Sequence, residues 1–176
     1  MDVRANAKAG SKLNIRLANS ESDLDYLFPV FLELHDASRY RDTEYSRAKY
    51  DRLLTRVVED PKAHALFSAE IGDRPVGLLV CSIGELIVGT GQLFTTVHSF
   101  YVCESHRYSL MGGRAAVRLL ASVVNWSQAR NAREVMIHVT SGIDIQRTDK
   151  FLRRANFNVI GANYALRLGR KEQDLV

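Results

Sequence analysis

The 176 residues suffice for one domain with a sizeable core, and a composition that is 46% apolar and 25% charged excludes a disordered or fibrous chain. No apolar run approaches the roughly 20 residues of a membrane helix, and the polar start from Met1 to Ser11 has no apolar stretch behind its charges, so no membrane partner is expected and the chain reads as cytoplasmic. The net charge of +4 is uneven, because residues 19 to 60 hold ten acidic and six basic side chains and leave +8 on the remainder. Such a basic body suits polyanions, either nucleic acid or a nucleotide cofactor with a pyrophosphate. Cys81 and Cys103 lie in apolar segments without the spacing of a zinc or redox motif, so they read as buried free thiols and no metal is expected.

Residues 1 to 12 read as a mobile leader, after which Leu13 to Leu17 alternates as a half-buried strand does. Ser20 or Ser22 can cap a helix whose Leu24, Leu27, Phe28, Phe31 and His35 recur on one face. Thr43 is placed to open a second helix, with Tyr50, Leu53, Leu54 and Val57 inward and Asp60-Pro61 as its stop. Ala65 to Ile71, the turn Gly72 to Pro75 and Val76 to Ile83 form a predicted hairpin, followed by a loop from Gly84 to Gly91. Leu93 to Cys103, rich in β-branched and aromatic residues, is the predicted central strand. Beyond Gly113, the residues Ala116, Leu119, Leu120, Val123 and Trp126 mark the inward face of a long helix. Val135 to Val139 is a predicted strand, Asp144 caps a helix from Ile145 to Ala155, and Phe157 to Ile160 and Tyr164 to Leu168 are predicted last strands. A single domain would then span 13 to 169, with a tail from 170 to 176.

The informative stretch joins the central strand to the long helix through a basic loop ending in Gly112-Gly113. Such a loop can aim backbone N–H groups and the positive end of a helix dipole at a pyrophosphate. Glycine lets the backbone approach phosphate oxygens closely, and Arg107 and Arg114 would add charge-assisted hydrogen bonds.

The run Arg107-Tyr108-Ser109-Leu110-Met111-Gly112 resembles the coenzyme A loop of the GNAT superfamily of N-acyltransferases, with Leu110 at its inner glycine. Asp149 to Phe157 is similar to that family's late helix and its closing Gly-Phe, with Asn156 in place of Gly, which keeps the helix end because Asn also adopts the left-handed conformation it requires. A phage and proteobacterial subset is similar in its Glu-x-His-x-x-Ser element, here Glu33 to Ser38, and in Thr140-Ser141-Gly142-Ile143. The resemblance implies a three-layer α/β (α+β) fold, a mixed, mostly antiparallel sheet of six or seven strands with helices on both faces. It implies acetyl-coenzyme A as cosubstrate, held by Phe100, Tyr101 and Val102 at the end of the central strand and by Arg107, Tyr108, Ser109, Leu110, Met111, Gly112, Gly113 and Arg114. It also implies a splay between two parallel strands for the pantetheine arm and an amine-bearing acceptor; a homodimer is left open.

Acyl transfer to an amine needs a base, and the departing thiolate gains from an acid. The tyrosine acid that the resemblance implies falls on Leu152, so it does not carry over. His98, Glu33 and His35 are the candidate bases, with His138 beside them. His98 lies nearest the expected splay, whereas His35 also reads as a core histidine, Glu33 as a solvated helix carboxylate and His138 as a residue facing a covering helix. The cluster Arg147, Lys150, Arg153 and Arg154 reads as a solvated helix face. The leading expectation is an acetyl-coenzyme A-dependent N-acetyltransferase, followed by an inactive coenzyme A-binding sensor and, distantly, a nucleic-acid-binding domain.

Overall fold

A computed structural model describes residues 12–161 and 163–165. They form β1 (Leu13–Leu17), α1 (Ser22–Ala37), α2 (Arg47–Glu59), β2 (His64–Ile71), β3 (Arg74–Gly84), β4 (Leu93–Val102), α3 (Glu104–Arg107), α4 (Leu110–Gln128), β5 (Ala132–Ile137) and α5 (Ile145–Arg154). They fall into two compact units, one through His138 and one from Val139 onward.

In the first unit β1 to β4 run as an antiparallel meander and β5 joins β4 in parallel. Ile71 pairs with Arg74 across a tight turn that Gly72 enters at φ 62°, a conformation glycine adopts without steric cost. A parallel neighbour needs a long crossover, which α3 and α4 supply. Gly77 faces Leu119 of α4, while the next residue, Leu78, pairs with Tyr101, whose hydroxyl reaches Glu33 of α1. Successive strand residues point to opposite faces, so α4 and α1 cover opposite sides of the sheet. The core between these layers includes Leu27, Leu66, Leu78, Leu79, Val97, Leu119 and Val123, all essentially buried. Phe28 and Phe31 of α1 meet Tyr50 of α2 edge to face, which locks the two helices together.

The described sheet has five strands rather than six or seven. Residues 157–160 and 164–165 carry no strand, and the rest of the last expected strand, 166–168, lies outside the described residues. The leader through Ser11, the tail from 170 and the Leu24 side chain lie outside them too. The second helix opens at Arg47 and not at Thr43, because Ser46 accepts the Lys49 N–H as its cap while the Thr43 hydroxyl donates to the Tyr40 carbonyl. The strand expected at 135–139 instead spans Ala132–Ile137, since Asn131 at φ 56° turns the chain straight out of α4.

In the second unit Asp144 caps α5 by accepting the Arg147 N–H. Asn156 adopts φ 65°, and the N–H groups of Asn156 and Phe157 donate to the carbonyls of Arg153 and Leu152, the left-handed helix end that the sequence predicts for this position. Arg147, Lys150, Arg153 and Arg154 are exposed, and Arg153 pairs with Asp149 one turn back.

Candidate active site

The pairing of β4 with β5 ends at Val97 and Ile137, yet β4 continues to Val102. From His98 onward that side of β4 has no strand partner among the described residues, because β5 itself ends at Ile137. On the other side Val80 pairs with Ser99 and Cys81 with Val97, so His98 is the extra residue of a β-bulge. The bulge turns a residue in the middle of the strand outward: His98 is partly exposed, one side of its ring shielded, while Val97 beside it is buried. Its Nε2 lies 2.7 Å from the Ser82 hydroxyl on β3. Ser82 in turn pairs with His64 of β2. Partial burial, then the neighbouring His138 and His64, lowers the His98 pKa below the ordinary imidazole value. Near neutral pH the ring therefore keeps a lone pair for a proton. His138 is exposed beyond the end of β5 and does not lie under a covering helix in its own unit.

At the far end of β4 the chain makes the short helix α3 and then α4. Ser109 caps α4 by accepting the Gly112 N–H, and its carbonyl accepts the Gly113 N–H. A helix leaves its first N–H groups without internal acceptors, and those of Leu110 and Met111 have none among the described residues. Tyr108, Ser109, Leu110, Gly113 and Arg114 are exposed and Met111 is half-buried, so the turn presents a solvent-facing, positively polarised helix end. Two expectations change here. Gly112 is buried and serves packing, since a Cβ on it would lie 2.0 Å from the His106 carbonyl oxygen; Gly113 alone has open space where a Cβ would stand. Arg107 turns inward, its Nε donating to the Val102 carbonyl at 3.2 Å and its guanidinium lying 5.0 Å from the Tyr101 ring centre. That arrangement anchors the strand end through a cation–π contact. The exposed cation of the turn is Arg114.

Phe100 is half-buried and Val102 buried at the end of β4. Tyr101 is buried too, with its hydroxyl donating to Glu33 Oε1 at 3.0 Å. The same oxygen accepts the Glu104 N–H at 2.7 Å. Burial and then the Glu33 carboxylate raise the Tyr101 pKa, and the same two causes push the Cys103 thiol up to about 12. Glu33 is therefore a half-buried acceptor and not a solvated helix charge. Beside it Pro29, Leu32, Asp36, Ala37 and Glu104 line a shallow groove with about 400 Å³ of room. His35 is half-buried rather than a core residue: its ring meets Tyr45 edge to face and lies 3.3 Å from both Asp36 Oδ1 and Thr43 Oγ1.

The structure thus puts His98 just past the end of the β4–β5 pairing and Glu33 against the start of α3. His35 stands apart from both, toward the turn between α1 and α2. Two contributors lie outside the sequence reading, Ser82 and the Glu33–Tyr101 contact. The first had no signal, since a serine in an apolar strand is unremarkable; the second joins residues on separate elements.

No family model matches the chain, and neither does any curated protein sequence. Solved structures do. A transcriptional regulator from Bacillus halodurans C-125 superposes with a TM-score of 0.67 at 19% identity, over 89% of this chain and 99% of that one. A ribosomal-protein-alanine N-acetyltransferase from Brucella melitensis biovar Abortus 2308 gives 0.66 at 17% identity, over 90% and 100%. The aminoglycoside acetyltransferase AAC(6')-Iy, bound to a bisubstrate analogue of coenzyme A and acetylneamine, gives 0.65 at 16%, over 89% and 98%. The chain has the fold of the GNAT N-acetyltransferases.

Proposed function

We propose that this chain transfers an acetyl or related acyl group from coenzyme A to an amine by direct attack. The observation that carries this reading is the end of the β4–β5 pairing at Val97 and Ile137, with a bulged, neutral His98 at that point. Backbone groups of Phe100 to Val102 would take the amides of the pantetheine arm. The N–H groups of Leu110 and Met111, with Arg114 and the open surface at Gly113, would take the pyrophosphate. In the transfer His98 takes a proton from the ammonium so that the amine nitrogen gains a lone pair, that nitrogen bonds to the thioester carbon, the carbon–sulfur bond breaks, and the second N–H proton goes to the departing thiolate. If the Ser82 hydroxyl accepts from Nε2–H, the basic lone pair is on Nδ1.

For the acceptor we propose a cationic amine, such as a polyamine, an aminoglycoside or a lysine-bearing peptide. Asp36 and Glu104 in the groove and the acidic segment from 19 to 60 support this, since a negative rim concentrates cations. A structural neighbour is an aminoglycoside acetyltransferase, which agrees with that chemistry.

The test is thiol release from acetyl-coenzyme A with a panel of such amines at low and high salt. Amine-dependent release that salt suppresses supports both parts; release with neutral or anionic acceptors alone defeats the charge argument. Acetyl-coenzyme A at a hundred times its Kd should stabilise the fold by about 2.7 kcal/mol, and a melting curve that saturating ligand leaves unmoved overturns the cofactor reading. Stabilisation without release to any amine would favour a binding protein, the reading that Leu152 in place of an acid supports.

A further inference from the structure

We infer that Glu33 is a positioning residue that ties α1 to the turn before α4 and so sets affinity for the cofactor, without itself taking a proton. The inference rests on the reading above in that it treats the turn as the coenzyme A site. Glu104 opens α3, and its N–H is one of the donors that a helix start leaves without an internal partner. Glu33 Oε1 supplies the acceptor from a different element, at 2.7 Å. The same oxygen receives the Tyr101 hydroxyl, and the Tyr101 ring carries the guanidinium of Arg107, the last residue of α3. One carboxylate oxygen therefore holds the first residue of α3 directly and the last through an aromatic ring.

What happens to α3 reaches α4. The His106 carbonyl accepts the Ser109 hydroxyl and N–H and also walls in Gly112, so the N-cap of α4 is seated on α3. Releasing α3 from Glu33 would let the cap shift, and with it the N–H groups of Leu110 and Met111. A misplacement of the groups that recognise a phosphate costs affinity, while the bond-making step at His98, on the interior of β4, is left largely intact.

Both hydrogen bonds end on a single oxygen, which a glutamine carbonyl reproduces. Glu33→Gln should therefore keep the Kd for acetyl-coenzyme A within about threefold, whereas Glu33→Ala should raise it about tenfold, equivalent to about 1.4 kcal/mol, with Tyr101→Phe between them. The Kd should change more than kcat at saturating cofactor, and the pH profile should keep its shape. Amide hydrogen exchange of residues 104 to 113, read without ligand, should accelerate in Glu33→Ala but not in Glu33→Gln, while β2 and β3 stay protected. Unchanged exchange in Glu33→Ala overturns the inference whether or not the protein binds coenzyme A. Glutamine as damaging as alanine to kcat, with the loss of a titrating limb, would make Glu33 the base instead. Failure of the wild type to bind acetyl-coenzyme A would sink the functional reading, and the exchange measurement would still decide the role of Glu33 in holding α3.

Discussion

A Cβ on Gly112 would stand 2.0 Å from the carbonyl oxygen of His106 and 2.6 Å from its carbon, both backbone atoms. Neither can yield without moving α3. Gly112→Ala should therefore cost about 1–3 kcal/mol as an overpacked contact, with a matching fall in the denaturation midpoint. Gly113→Ala meets nothing within 4 Å and should stabilise the helix by about 0.5–1 kcal/mol. Equal effects of the two substitutions in chemical denaturation would contradict this division of labour.

The division was invisible in the sequence, where both glycines read as phosphate-approaching. Periodicity gave α4 because it buries one continuous face, and two apolar runs around a turn gave the hairpin of β2 and β3, buried on both faces from 65 to 70 and from 76 to 81; both are properties a single segment reveals. The bulge at His98 depends on the register against β3, and alternation along β4 alone carries no trace of it. The same holds for Glu33, which looks like any helix carboxylate until Tyr101 and Glu104 arrive from another part of the chain. Asn156 was legible because its left-handed turn is a local property. The run expected as a strand at 157–160 carries none, since a short apolar run does not by itself say whether it pairs, and of the run from 164 to 168 only 164 and 165 are described.

Thr95 is fully buried on β4, and its hydroxyl has no hydrogen-bond partner among the described residues. Leaving a hydroxyl unsatisfied in the interior costs about 1–3 kcal/mol, and valine has nearly the same shape. Thr95→Val should raise the free energy of unfolding by about 1 kcal/mol. Urea denaturation would decide it; a loss of stability would mean that the hydroxyl has a partner after all.

Arg16 lies 2.6 Å from Asp23 and 2.9 Å from Glu70, joining β1 to the start of α1 and to β2. Burial works against the Asp23 carboxylate, but the N–H groups of Asn19 and Ser20 and the Arg16 guanidinium together hold its pKa below the ordinary value of 3.8. The unfolded chain therefore binds the proton first. The stabilisation is fully present above that ordinary value and is lost as pH falls below it toward the folded pKa. Asp23→Ala should cost about 2 kcal/mol at neutral pH, and the deficit should shrink in thermal melts taken at progressively lower pH through this window.

His98 provides the sharpest test of the proposed chemistry, because its environment fixes both a direction and a set of partners. Burial comes first, then His138 and His64, and all three disfavour the charged ring. A base works in its neutral form, so turnover should rise through a pKa below the ordinary 6.5 and be level by neutral pH. His138→Gln removes the stronger of the two repulsive partners and should move that limb upward, toward the ordinary value. His98→Gln should abolish the limb and lower kcat by about 100-fold or more, with little change in the Kd for acetyl-coenzyme A. Ser82→Ala, which removes the 2.7 Å partner of Nε2, should lower kcat by a smaller factor and shift the limb, since the ring then loses the contact that orients it. The shift also has a stability signature: the unfolded imidazole binds its proton at higher pH than the folded one, so stability should fall as pH drops through 6.5 toward the folded pKa. That fall should be smaller in His98→Gln. A pH profile in which the limb survives His98→Gln and ignores His138→Gln would remove His98 from the reaction and leave its role to another base.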